Sequence, residues 1–165
     1  MSVYAQILKN TDIFYNFTTE QLELVAALCR ERIFALGDIV FLEGSKSDEL
    51  YIIAHGEVDI LLDPSLVSDQ SDVEYPPVTV ATLRMGQSFG EIALVDHGFR
   101  SATARAAQNP TRLLIIPSDS LREICDANPA LGYRLMRNLA IDLALKLRST
   151  DLRIREVLSY RHINR

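Results

Sequence analysis

The N-terminal residues carry apolar positions at helical spacing, and the period changes near residue 33. Tyr4, Ile7 and Leu8 predict a short helix and turn within residues 1–15. Leu22, Leu24, Val25 and Leu28 predict a second helix, capped by Thr18 or Thr19 with Gln21 in its first turn. The period then falls to two. Residues 33–36, 39–42 and 50–53, and the alternating Val58, Ile60 and Leu62, predict short strands closed by Gly37, Gly44 and Gly56. Residues 63–77 are polar and end on Pro76-Pro77, which predicts a long surface loop. Strand character returns at 78–83 and again at 112–116, where Pro117 ends it. Ser118-Asp119-Ser120 are expected to cap a helix bearing Leu121, Ile124 and Cys125, and Asn128-Pro129 ends that helix and starts another. In the last helix Met136, Ala140, Leu143, Leu147, Thr150, Ile154 and Val157 recur at alternating spacings of four and three, and Leu139 widens the stripe. Such a heptad-like seam suits docking on the body or pairing with a second copy, and its persistence toward Leu158 favours a homodimer. Short, regularly spaced strands with glycine turns predict an all-β barrel or jelly roll between these helices.

Residues 85–106 follow a different organisation, with Gly86, Gly90 and Gly98 punctuating the stretch. Gly90 permits a positive φ or a close approach of the backbone to a ligand. Residues 92–95 are short enough to form one helical turn, whose free N–H groups attract negative charge. Arg100 offers a rigid fork of donors suited to a phosphate, Ser101 and Thr103 add hydroxyls beside it, and Glu91 is an acceptor for sugar hydroxyls. The plain alternative is a salt bridge between Glu91 and Arg100 that closes an empty fold.

This stretch resembles the phosphate-binding cassette of cyclic-nucleotide-binding domains, found in catabolite-activator-type regulators, nucleotide-gated channels and kinase regulatory subunits. The resemblance extends to Gly37-Asp38, Phe41-Leu42-Glu43-Gly44, Leu50-Tyr51-Ile52-Ile53 and Gly56-Glu57-Val58. It implies a mainly β jelly-roll barrel (double-stranded β-helix) with N-terminal helices and a long C-terminal helix. The ligand would be cyclic AMP or cyclic GMP, and no other cofactor is implied. By the same resemblance the ligand-binding residues are Phe89, Gly90, Glu91, Ile92, Ala93, Arg100, Ser101, Ala102 and Thr103. Gly90 and Glu91 would meet the ribose, Arg100 the cyclic phosphate, and Ser101 the phosphate or base. At the base end the distal helix offers Arg134, Arg137, Asn138, Lys146, Arg148, Ser149 and Thr150, with Asp142 as the nearest acid for guanine donors. A serine at 101 and the lack of an early acid in that helix lean toward cyclic AMP.

Composition narrows the function class. With 165 residues, one domain over 1–165 is expected: a helical segment 1–32, a β region 33–117 and C-terminal helices 118–165. There is no apolar run of about 18 residues and no basic-then-apolar leader, so no membrane span or signal peptide is expected. Cys29 and Cys125 suit a reducing, cytoplasmic compartment. The net charge of −5 divides unevenly: from residue 131 onward eight basic and three acidic residues give +5, leaving −10 for residues 1–130. An acidic body argues against nucleic-acid binding, and the segment after Val157 is too short for a helix-turn-helix, so no direct DNA binding is expected. No Cys/His spacing of a metal site, phosphate-loop motif or nucleophile elbow occurs, which excludes the commoner enzyme classes. Three readings stay open: a nucleotide sensor that signals through its C-terminal helices to an unidentified effector, a ligand-free dimerisation or interaction module, and the sensor part of a truncated transcription regulator.

Overall fold

The computed structural model describes residues 1–46, 48–66, 75–96 and 98–163. The N-terminal helices are α1 (Val3–Lys9) and α2 (Thr19–Ala26), separated by a 3-10 turn at Asp12–Phe14. A reciprocal cap starts α2: Gln21 N donates to Thr18 Oγ1 at 3.2 Å, and Thr18 N donates to Gln21 Oε1 at 3.0 Å. The strands described after them are β1 (Arg30–Phe34), β2 (Ile39–Phe41), β3 (Glu49–His55), β4 (Glu57–Leu62), β5 (Val78–Arg84), β6 (Ser88–Phe89), β7 (Thr103–Ala106) and β8 (Thr111–Pro117). A five-residue helix α3 (Ile92–Asp96) lies between β6 and β7, and α4 (Ser118–Ala127) and α5 (Pro129–Ile163) end the described chain. Of the loop expected at 63–77, a 3-10 turn at Pro64–Leu66 and the approach to β5 are described. Residues 67–74 and His97 lie outside the described residues.

The strands form two antiparallel sheets, ordered β1-β8-β3-β6 and β2-β7-β4-β5. This corrects the barrel expected from the sequence. Each sheet is open, neither closes on itself, and the two face each other as a sandwich. Closure needs paired edges, and here β6 and β2 end their sheets with only two and three residues.

The central strands β3 and β8 are buried on both faces. Tyr51, Ile53, Leu113 and Ile115 point between the sheets, where they meet Phe34, Val58, Phe89, Ala104 and Ala106. Leu50, Ile52, Leu114 and Ile116 point the other way, into a second core with Leu8, Phe14, Leu22, Val25, Leu121, Leu135 and Leu139. Each fully buried aliphatic side chain contributes about 1.5–3 kcal/mol, so this second core fastens the helices firmly to the sheet.

Two helix expectations need adjusting. Pro117, rather than the serines, stands at the N-cap of α4; Ser118 is already helical and buried, its N–H donating to Asp48 O at 2.8 Å. In α5 the face that docks on the body carries Leu131 and Leu135 together with Leu139 from the expected stripe. Met136, Leu147, Ile154 and Val157 of the seam are exposed. Gly132 lets α4 come close, since a Cβ there would stand 3.0 Å from Cys125 O.

Candidate functional site

The site forms where β6 leaves its sheet. Ser88 and Phe89 pair with Ile52 and Tyr51 of β3, and the chain then turns sharply at Gly90. Gly90 has φ +76°, a left-handed conformation that side chains rarely adopt. A Cβ at this position would lie 2.5 Å from Arg100 Nη1 and 3.1 Å from Glu49 O. Glycine is therefore required both for the turn and for the space that Arg100 occupies. Glu91 follows and is buried, and its carbonyl accepts from Leu94 N at 3.0 Å to open α3.

Arg100 is only 6% exposed. Its Nη2 donates to Glu49 O at 3.0 Å and its Nη1 to Gly90 O at 3.4 Å. The guanidinium lies 4.1 Å from the ring centre of Phe41 and 5.3 Å from that of Tyr51. Below it Tyr51 and Phe89 stack at 5.0 Å. Burial lowers the Arg100 pKa from its usual range, against the pull of Tyr51, Asp48 and Glu91. No ion pair among the described residues joins it to a carboxylate, and its Nε is buried without a hydrogen-bond partner. Arg105 and Arg112 contrast with it, pairing across strands with Asp59 at 3.4 Å and Glu31 at 2.7 Å. Arg100 is thus a desolvated cation with an unused donor.

The expected alternative, Glu91 paired with Arg100, is not what forms. Glu91 Oε1 accepts instead from Lys146 Nζ of α5 at 2.9 Å. Lys146 also reaches Ser88 O at 3.0 Å and Asp142 Oδ2 at 2.8 Å. Burial disfavours its charge, but Glu91 and Asp142 outweigh that and hold the ammonium above the ordinary lysine range. Ser88 Oγ, next to this cluster, is a second buried polar atom without a partner.

The structure gathers Gly90, Glu91 and Arg100 at one place, with α3 alongside. Ile92 is 39% exposed, and Ala93 lies in the backbone of α3. Phe89 is buried in the inter-sheet core beneath the arginine. Thr103 Oγ1 accepts from Glu43 N at 2.9 Å, bracing the turn after β2. Ser101 is exposed and Ala102 half-buried. Of the polar residues offered by the distal helix, Lys146 reaches the cluster. Asn138 instead donates to Ile13 O and Tyr15 O, and Arg134 to Asn16 O. Reasoning from the sequence missed Phe41, Tyr51 and the Glu49 carbonyl as the walls that hold Arg100. The available signal was a tyrosine within the aliphatic run of β3, a polar-tipped ring where Leu, Ile or Val would suffice.

Residues 31–128 match the family model described as cyclic nucleotide-binding domain. The cyclic AMP receptor protein of Thermus thermophilus is 28% identical over 153 residues, covering 93% of this chain and 64% of that protein. Human cGMP-dependent protein kinase 2 is 24% identical over 120 residues, covering 73% of this chain and 15% of the kinase. The chain therefore spans less than two thirds of either relative. A crystal structure of a cyclic nucleotide-binding domain from Methylobacillus flagellatus superposes with a TM-score of 0.74 over 93% of this chain and 82% of that one; at 23% identity this is a likeness of fold alone. The matched segment is a binding and regulatory domain rather than a catalytic one, and among the described residues no cluster of His, Cys, Asp and Glu is arranged to hold a metal. Among the same residues no helix is long and apolar enough to cross a membrane. On the match over residues 31–128, the chain belongs to the cyclic nucleotide-binding domain family.

Proposed function

We propose that residues 1–165 act as one sensor domain that binds a cyclic nucleotide, preferentially cyclic AMP, and signals through α5. The observation that carries this reading is Arg100, a buried cation with no carboxylate partner among the described residues and an unused Nε donor. A cyclic phosphodiester supplies one negative charge and the acceptor oxygens this arrangement lacks. Glu91, at the adjoining turn, accepts from the ribose 2′-hydroxyl. Gly90, Ile92 and Ala93 line the backbone approach to the sugar-phosphate, Ser101 and Ala102 stand beside the phosphate, and Phe89 and Thr103 brace the pocket from behind.

The position of Asp142 supports a preference for adenine. Guanine presents two adjacent donors that call for a free acid, and the Asp142 carboxylate is already engaged by Lys146. Competition between the two cyclic nucleotides for a fluorescent analogue tests this. Cyclic AMP is expected to displace it at lower concentration, and cyclic GMP binding about tenfold tighter, roughly 1.4 kcal/mol, refutes the base preference alone.

Signalling requires a surface that a partner can read. The exposed seam of α5, with Met136, Leu147, Ile154 and Val157, suits a second copy of the chain, and an effector protein would read the resulting pair. Light scattering coupled to size exclusion is expected to give twice the monomer mass; a monomer at all accessible concentrations removes the homodimer. The free thiols of Cys29 and Cys125 support a cytoplasmic setting.

A further inference from the structure

Helix α5 leaves the body at one residue. Its buried apolar contacts end at Leu139, and residues 147–160 are exposed on every face. Of the side chains described up to Tyr160, Lys146 is the last that is not exposed. At this point its ammonium donates to Glu91 Oε1 at 2.9 Å and to Ser88 O at 3.0 Å, and it stands 2.8 Å from Asp142 Oδ2 as an ion pair. What these contacts hold is Glu91. That carboxylate is 6% exposed, Lys146 takes its Oε1, and no hydrogen bond among the described residues takes its Oε2.

We infer that Lys146 is a positioning residue: it neutralises and orients Glu91 so that Oε2 faces the sugar, and through the same contact it pins the last docked turn of α5 to the nucleotide cassette. Sugar recognition and helix docking then share one ion pair. A ligand that draws Glu91 toward a ribose hydroxyl shifts Lys146, and with it the start of the projecting arm. At 1.5 Å per residue the 17 residues from 147 to 163 extend about 25 Å, so a small tilt at Lys146 becomes a large displacement at the tip. The inference rests on the reading of Glu91 as the sugar acceptor.

The test compares wild type, Lys146→Met, Lys146→Arg and the charge-free double variant Glu91→Gln/Lys146→Met. Each is titrated with cyclic AMP and with its 2′-deoxy analogue, and backbone hydrogen exchange along α5 is followed without ligand. Lys146→Met is expected to lose at least about tenfold in affinity for cyclic AMP, as fits a severed buried pair, while its affinity for the deoxy analogue stays near that of wild type. The arginine variant is expected to restore discrimination, and the double variant to fold and bind both nucleotides alike. In ligand-free Lys146→Met, exchange is expected to quicken from about residue 140 onward and to stay unchanged in the sheets. An equal loss for both nucleotides, or unaltered exchange in α5, overturns the role of Lys146 while leaving the pocket reading intact. Failure of wild type to bind either nucleotide overturns the sugar role of Glu91, and the inference with it.

Discussion

Arg100→Met separates a binding arginine from a structural one. The guanidinium makes two bonds to main-chain carbonyls, at 3.0 and 3.4 Å, and lies over Phe41 at 4.1 Å. The carbonyl bonds are worth about 1.5–3 kcal/mol apiece at good geometry, and the longer one less. The ring contact adds about 0.5–2 kcal/mol. Against these stands the desolvation of an ion without a carboxylate partner among the described residues, several kcal/mol in magnitude, with Nε unsatisfied. The two sides nearly cancel, so methionine, which keeps the packing against Phe41 and Tyr51, is expected to change folding stability by no more than about 2 kcal/mol. Binding is different, because the ligand's charge meets Arg100 directly. Loss of one partner of a buried charged hydrogen-bonded pair costs about 2–5 kcal/mol, a rise in Kd of about 30-fold to 4,000-fold. Urea denaturation and calorimetric titration on the same preparation read the two quantities. A variant that is strongly destabilised yet binds as tightly as wild type refutes the reasoning, since the arginine would then be a structural brace.

Other perturbations probe the supports of the site. Gly90→Ala forces a left-handed backbone, costing about 1–2 kcal/mol, and drives a methyl to 2.5 Å from Arg100 Nη1; affinity is expected to fall more than stability, and a variant with wild-type affinity contradicts the close approach. Burial pushes the Cys29 thiol up to about 12. Because the folded value lies above the unfolded one of about 8.5, this contribution is complete below the unfolded value and is lost as pH rises toward 12. Cys29→Ser is therefore expected to flatten the alkaline limb of a stability–pH profile, and identical limbs contradict the assignment.

The parts of the molecule legible in the sequence are those decided locally. The Thr18–Gln21 cap, the positive φ of Gly90 and the grouping of Gly90, Glu91 and Arg100 each follow from residues a few positions apart. The runs at 50–53 and 113–116 read as strands, but not as strands covered on both faces; an unbroken apolar run has no period from which to tell which side the helices will cover. Closure of the sheets was misjudged for a related reason: alternation reports a strand's inner face and says nothing of what its edge meets. The heptad-like stripe of α5 is legible, yet besides its Leu139 the helix docks through Leu131 and Leu135, selected by complementarity to the surface beneath. Least legible was the pair of Glu91 and Lys146. Fifty-five positions separate them, and lysine on an amphipathic helix ordinarily faces water, so only the tertiary fold brings the two together.

The central claim is that the buried guanidinium of Arg100, which has no carboxylate partner among the described residues, is a site for a cyclic phosphate. Calorimetric titration of the wild-type protein with cyclic AMP, cyclic GMP and linear 5′-AMP tests it most directly. The account predicts saturable heat at one site per chain with a cyclic nucleotide, far weaker binding of the doubly charged linear phosphate, and loss of the heat in Arg100→Met. A folded, monodisperse sample that gives no heat with either cyclic nucleotide contradicts it.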